Sequence, residues 1–329
     1  MGLPGRGHKG YIQFGREPTW GVGTPSTHRI PYVSCDTRPQ GGFIRSEMMN
    51  LSRWRHGIYK GPKLYRVTVV LELWFEGMLQ IIDLIQGTST YGSNGGTTTG
   101  ANPYVHTFLG KDILNSYSIE IIEGNIPSGK CQLLTGCKID TATLAGASGF
   151  GSDGICRLTL NALAKSYDPD QDPTASLNPV TALPVLFHEI SSVLDGTADA
   201  TADKVLKSFE ISWNNHLAER LSTSDSILEP VPEAVLDFTI KLQKEFQTKT
   251  LLAAYNAFTS GQPSIVFGNS ASKRITVSIP GTANITEYNH PISGGGLIMQ
   301  DVTWEAFRPN NVNGPVTVVV ENTQATILT

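Results

Sequence analysis

The alternation of apolar and polar residues makes the same moves twice along this chain. From residue 64, LYRVTVVLELW alternates as a half-buried strand does. FEGMLQIIDLIQ then places Phe75, Met78, Leu79, Ile82 and Ile85 on one helical stripe, and Gly87 can take a left-handed cap. Farther on, Leu236, Phe238, Ile240 and Leu242 form one face of a second strand. Leu251, Leu252, Tyr255 and Phe258 make a second stripe, with Gly261 near its stop.

The correspondence continues past the helices. YVHTFLGKDILNSYSIEIIEG and PSIVFGNSASKRITVSIPG each read as short strand, turn, longer strand. A hairpin follows in each half, one in LLTGCKIDTATLAGASGFGSDGICRLTLNALA around a glycine-rich turn, the other in LIMQDVTWEAFRPNNVNGPVTVVVENT around NNVNG. HRIPYVSCDTRPQ and KSFEISWNNHL each set a strand ahead of a polar loop. Five elements in matching order predict two tandem modules, residues 1–168 and 183–329, joined by a proline-rich linker at 169–182. The first module carries an N-terminal arm at 1–10 and a basic loop at 45–66, and TSTYGSNGGTTTG at 88–100 reads as a mobile loop.

Composition supports β-structure. Charged residues make up only 16% of the 329, and 33 glycines and 19 prolines sit among many threonines and serines. A net charge of −4 excludes wholesale electrostatic binding to nucleic acid or an acidic membrane. No apolar run has the length and purity of a secretory signal or a spanning helix, so a soluble protein made in the cytoplasm is expected. Cys35, Cys131, Cys137 and Cys156 match no zinc or C-x-x-C spacing and are expected to be buried free thiols.

Catalytic and metal motifs fail on inspection. His188-Glu189 lacks the histidine that H-E-x-x-H requires, because position 192 is serine. Asp168, Asp170 and Asp172 are spaced like EF-hand ligands, yet Pro173 and Pro179 stand where glycine and glutamate belong. Ser148 in GASGF lies outside a G-x-S-x-G frame and reads as a hairpin tip. Gly294, Gly295 and Gly296 precede no phosphate-binding helix, and His106 reads as a strand residue with a hydrogen-bonded ring. No enzyme, metal or cofactor is expected.

One basic cluster remains, with Arg45, Arg53, Arg55, His56, Lys60, Lys63 and Arg66 interleaved by Trp54 and Tyr59. Such a segment can contact phosphates and stack on bases. In a chain acidic overall it reads better as a contact with another subunit, carried by Arg45, Arg53, Trp54, Arg55 and Lys60.

GYIQFGREPTWGVGTPSTHRIPYVS, YVHTFLGKDILNSYSIEIIEG with TGCKIDTATLAG, and PISGGGLIMQDVTWEAF with VTVVVEN together resemble the tail tube proteins of long-tailed bacteriophages. The resemblance spans nearly the whole chain and implies a mainly β fold of two tandem tube modules, each a β-sandwich or half-barrel with one flanking α-helix. It implies a structural virion protein, made in the host cytoplasm, whose trimeric rings of pseudo-sixfold symmetry stack into a hollow tail. Its implied partners are itself, the tape measure protein, and the terminator and distal tail proteins. Double-stranded DNA would pass without specific binding, and no membrane is involved. A wall that lets DNA pass should be polar and neutral or acidic. Opposite the apolar face of the second strand stand Asp237, Thr239, Lys241, Gln243 and Glu245; Arg66, Thr68 and Glu72 hold the same position in the first. These are the expected lumen residues. The alternative reading is a virion adhesin or carbohydrate-binding β-sandwich that stacks sugars on Trp20, Trp54 or Trp213.

Overall fold

The structure, a computed structural model, describes residues 10–46, 57–87, 104–110, 113–123, 130–174, 183–195, 205–222, 227–270, 273–279, 282–292, 296–307 and 316–324. The first half runs β1 (Tyr11–Arg16), β2 (His28–Ile30), β3 (Ser34–Arg45), β4 (Ile58–Glu72), α1 (Leu79–Gln86), β5 (Tyr104–Leu109), β6 (Tyr117–Ile122), β7 (Cys131–Ala147), β8 (Arg157–Ala164) and β9 (Ser166–Gln171). The second runs β10 (Ile190–Asp195), β11 (Leu206–Asn214), β12 (Asp237–Glu245), α2 (Thr250–Asn256), β13 (Pro263–Ser270), β14 (Lys273–Ser278), β15 (Thr282–Asn289), β16 (Met299–Phe307) and β17 (Thr317–Asn322). The fold is mainly β, with open antiparallel sheets packed as a sandwich.

Eight strands form one continuous antiparallel sheet in the order β3-β4-β8-β7-β11-β12-β16-β15. Each half supplies four neighbours in the same relative order, and β7 against β11 is the seam. The N-terminal part of β7 leaves this sheet and carries β6, β1, β2 and β9 on a diverging branch. A separate five-stranded sheet has the order β10-β13-β14-β17-β5.

Period-two burial explains the long sheet. In β12, Phe238, Ile240 and Leu242 are buried while Asp237, Lys241 and Gln243 are exposed. In β4, Val67, Val69 and Leu71 are buried and Arg66 is exposed. The apolar faces meet Ile275, Val277 and Val318 of the five-stranded sheet in one core, with α1 between the layers. A gap of about 30 Å³ bounded by Leu73, Ile82, Ile85, Trp213 and Val277 marks where helix and sheets meet.

Several expectations need correction. Helix α1 is no one-sided surface helix: all eight residues are buried, and Phe75 and Met78 precede it. Its polar members find partners inside, Asp83 accepting from the Tyr117 hydroxyl at 2.7 Å and from Asn115 Nδ2 at 2.7 Å. Gly87 ends it at φ +76°, where a Cβ would lie 2.2 Å from the Ile113 carbonyl oxygen. Helix α2 does lie on the surface against β15 but buries only Leu251 and Ala254; Phe258 is exposed and Gly261 bridges to Ala283 instead of capping the helix.

Strand pairing overrides two local readings. NNVNG lies outside the described residues, and the strands flanking it do not pair: β16 joins β12 and β15, while β17 joins β14 and β5. Strand β5 therefore belongs to the first half by sequence and completes a sheet of the second. The linker begins as a strand, since β9 pairs with β7, and Thr174 beyond it donates through N and Oγ1 to Glu120 at 2.9 and 2.6 Å. The arm at 1–10 is described only at Gly10, and the loop at 88–100 lies outside the described residues.

Phe238 is fully buried, with Trp213 edge-on at 5.2 Å between ring centroids. Phe238→Ala is expected to lower unfolding free energy by about 3–5 kcal/mol, as cavity-forming aromatic truncations do. Urea unfolding followed by tryptophan fluorescence measures it.

Candidate functional site

The face of the eight-stranded sheet turned away from the core is the functional candidate. Strand register builds it from residues that alternate with buried ones. Asp36, Thr68, Asn161, Thr141, Asn214 and Asp237 follow one another along one line across β3, β4, β8, β7, β11 and β12. The next line is Ser34, Val70, Thr159, Thr143, Ser212, Thr239, Glu305 and Asn284. Short neutral side chains dominate because each sits between aliphatic neighbours that face the core, as Thr159 does between Leu158 and Leu160.

These groups bond to one another across the strands. Thr68 Oγ1 donates to Asn161 Oδ1 at 2.8 Å, and Asn161 Nδ2 donates to Thr141 Oγ1 at 2.9 Å. Gln243 Nε2 donates to Asp301 Oδ1 at 2.9 Å, and Thr303 Oγ1 donates to Glu287 Oε2 at 3.2 Å. Lys241 lies 3.5 Å from Glu210, both well exposed, so the pair contributes at most about 1 kcal/mol. Thr68, Asn161 and Thr141 are thereby tied to one another across three strands, whereas Arg157 Nε and Asn284 Oδ1 on the same face are buried without a partner among the described residues.

Its charge is acidic. Arg38, Arg66, Arg157 and Lys241 stand against Asp36, Glu72, Glu210, Asp237, Glu245, Glu287, Asp301 and Glu305, four positive against eight negative. The face is also hollow: a depression of about 630 Å³ lies over β7, β11, β12 and β16, floored by residues such as Ala145, Glu210, Lys241 and Thr303.

The expected lumen residues come together here. Asp237, Thr239, Lys241, Gln243 and Glu245 on β12 and Arg66, Thr68 and Glu72 on β4 share this one face, although three strands, β8, β7 and β11, lie between them in the sheet. Sequence reasoning missed Asn161, Thr141, Thr143 and Ser212; alternation with Leu160, Ala142, Leu144 and Ile211 was the available signal. The expected basic loop is largely strand: β3 reaches Arg45 and β4 starts at Ile58, so Arg45 and Lys60 lie in a long hairpin. Gly41 and Gly42, at φ +81° and +89°, form a bulge that breaks the alternation and disguised the strand. Arg53, Trp54 and Arg55 lie outside the described residues.

Two backbone edges bound the face. Among the described residues β3 pairs only with β4, and β15 only with β16. Strand β11, flanked on both sides, buries every second residue from Phe209 to Trp213, whereas β3 buries only Gly42. A row of N–H and C=O groups with no neighbouring strand is a template for pairing.

Little here supports chemistry or sugar stacking. Burial pushes the Cys137 thiol well above its ordinary range and those of Cys35, Cys131 and Cys156 up to about 12, so none is a ready nucleophile. Trp213 is in the core, and Trp20 is held by the Gly136 carbonyl at 3.1 Å with Lys165 over its ring. No cluster of three metal-ligating side chains occurs among the described residues. His106 is a buried strand residue whose Nε2 lies 2.6 Å from the Gln324 carbonyl oxygen, and Glu189 accepts from the Leu186 amide.

Among curated proteins none matches this sequence. The family model described as phage tail tube protein matches residues 7–306. A β-sandwich whose polar hollow face runs between two open edges agrees with a structural role, and the chain belongs to the phage tail tube protein family.

Proposed function

We propose that this chain consists of two equivalent tube units and that three copies close, edge β15 to edge β3, into a ring that stacks into a DNA conduit. The observation that carries the reading is the repeat of residue register. Thr68 faces Asn161 as Thr239 faces Glu305, and Val70 faces Thr159 as Lys241 faces Thr303. On the outer side, Asp36 faces Thr68 as Ser212 faces Thr239. The β7–β11 seam is then an internal example of the join that β15 and β3 would make between copies.

Geometry favours three copies. Three times eight strands, about 4.8 Å apart and tilted about 40°, close at a backbone diameter of roughly 48 Å. Side chains on the inner wall take about 5 Å on each side, leaving a bore of roughly 38 Å. Two copies would leave roughly 22 Å, too tight for a hydrated duplex. With the hollow face inward, the acidic surplus repels phosphates. Joining the two edges satisfies backbone groups that are a liability in a lone chain, and the contact is heterologous and closes.

The seam fixes the expected register. Thr141 faces Asn214 across it. By the correspondence above, Asn284 takes the place of Thr141 and Arg38 that of Asn214, so Asn284 of one copy faces Arg38 of the next. Directly opposed strand residues are close enough for a disulfide. The Arg38→Cys/Asn284→Cys double variant, oxidised after assembly, is expected to give a covalent trimer as its largest product on a non-reducing gel, and end-on negative-stain views are expected to show threefold rings. A ladder beyond trimer, or chains that stay monomeric at high concentration, would overturn the reading.

A further inference from the structure

The connection between β11 and β12, described at residues 215–222 and 227–236, folds back over one end of the hollow face of the first half. Its Leu217 and Ile227 are buried in a small cluster with Leu64 of β4 and Leu163 of β8. Leu64 is 4% and Leu163 1% exposed although both are on or beside the polar face, because this connection covers them. Charge fixes the contact: Lys138 Nζ lies 2.6 Å from Glu229 Oε1, and Glu219 pairs with Arg66 and accepts from Gln40.

The second half carries a matching seat whose apolar residues stand uncovered among the described residues, with His216 Nε2 2.5 Å from Asp237 Oδ2 beside them. Continuing the register by one step, Arg66 and Leu163 correspond to Asp237 and Phe307, and Leu64 corresponds to Val235. Val235 is 81% and Phe307 43% exposed. The counterpart of the covering connection is the β3–β4 hairpin, whose Phe43, Ile44, Ile58 and Tyr59 are all more than half exposed. Two surfaces that are covered in one half stand bare in the other, and within one chain they lie at opposite ends of the sheet.

The charges are inverted as a matched pair requires. Residues 215–236 hold Glu219, Asp225, Glu229 and Glu233 against Arg220, and meet basic Arg66 and Lys138. Residues 39–64 hold Arg45, Arg53, Arg55, Lys60 and Lys63 against Glu47. The vacant seat has turned acidic, with Asp237 where the first half has Arg66 and Glu305 where it has Asn161.

We infer that the β3–β4 hairpin of one copy docks the face bearing Phe43 and Ile58 on the Val235–Phe307 seat of the preceding copy in the ring, steered by Arg45 and Lys60 on that same face toward Asp237 and Glu305. This rests on the ring reading, because β3 against β15 brings the hairpin over β12 and β16 as β11 against β7 brings its connection over β4 and β8. A few desolvated anchors near the centre of a contact carry a disproportionate share of association energy.

The test compares assembly of four purified full-length chains by sedimentation and negative stain: wild type, Val235→Asp/Phe307→Asp, Asp237→Lys/Glu305→Lys, and the last combined with Arg45→Glu/Lys60→Glu. All altered side chains are at least partly exposed in the free chain, and circular dichroism melts check that each variant folds as wild type does. The two double variants are expected to raise the critical concentration for ring formation by about tenfold or more, and the four-site charge swap to recover most of that loss. Rings formed by every variant at the wild-type concentration would overturn the inference and leave the ring reading standing. Wild-type chains that form no rings would overturn the ring reading and this inference with it.

Discussion

The ladder between β7 and β11 is the interaction on which the rest of the molecule depends. Four antiparallel strands per half, each with one apolar face, leave their outer edges with unpaired N–H and C=O groups. The seam satisfies one such edge from each half, Thr141 to Asn214 through Ala147 to Ser208, and so turns two short sheets into one. Strand β7 can serve this purpose because it is long: its first residues support β6 and β9, and its last lie between β8 and β11. The bulge at Asp140 lets it turn from one task to the other, and Asp140 uses its carbonyl and carboxylate to receive the amides of Asn215 and Leu217. A single strand thereby sets the sheet's extent and places the covering connection.

From that sheet the two faces follow. One face must bury enough aliphatic surface to hold α1 and the five-stranded layer, and the strict period of two then hands every intervening position to the other face. What occupies those positions is a choice made by function. Thr68, Asn161 and Thr141 satisfy one another across β4, β8 and β7, which ties these three strands together on the hollow face. The exchanged strand β5 adds a second tie: it pairs with β17 over six positions, so the second half's outer layer is complete only with a strand from the first. Neither half is a self-contained sandwich.

The parts legible in the sequence were those with a local period. Asp237 to Glu245 and Arg66 to Glu72 were readable as one surface because alternation assigns faces without knowing neighbours, and β7–β8 was readable because its turn is short. Pairing at a distance was not. Nothing in YVHTFL says that its partner is VVVEN more than two hundred residues away, and the strong turn after β16 suggested a hairpin that the sheets do not use. Helix α1 misled for a related reason: a stripe shows which residues must be buried, yet Gln80, Asp83 and Gln86 are buried too because a second layer covers their side. In β9, Pro169 with Asp168 and Asp170 looks like a linker, but an edge strand tolerates both.

In the proposed ring, the opposite charges of the two hairpin regions bear on how copies avoid joining wrongly. Two halves with the same strand order present nearly the same edges, so backbone pairing alone discriminates poorly between a correct join and one shifted by half a chain. In the proposed ring the discrimination comes from what lies beside the edges. A basic β3–β4 hairpin brought to the first half would meet Arg66 and Lys138, already engaged by Glu219 and Glu229, and would have to displace an apolar cover to reach Leu64 and Leu163. Brought to the second half it meets Asp237 and Glu305 and an open apolar seat. The repulsive contact weighs as much as the attractive one, since specificity is a difference between two affinities. In the proposed ring, the difference in charge between the halves, which share a strand register, thus gives an otherwise ambiguous edge a direction.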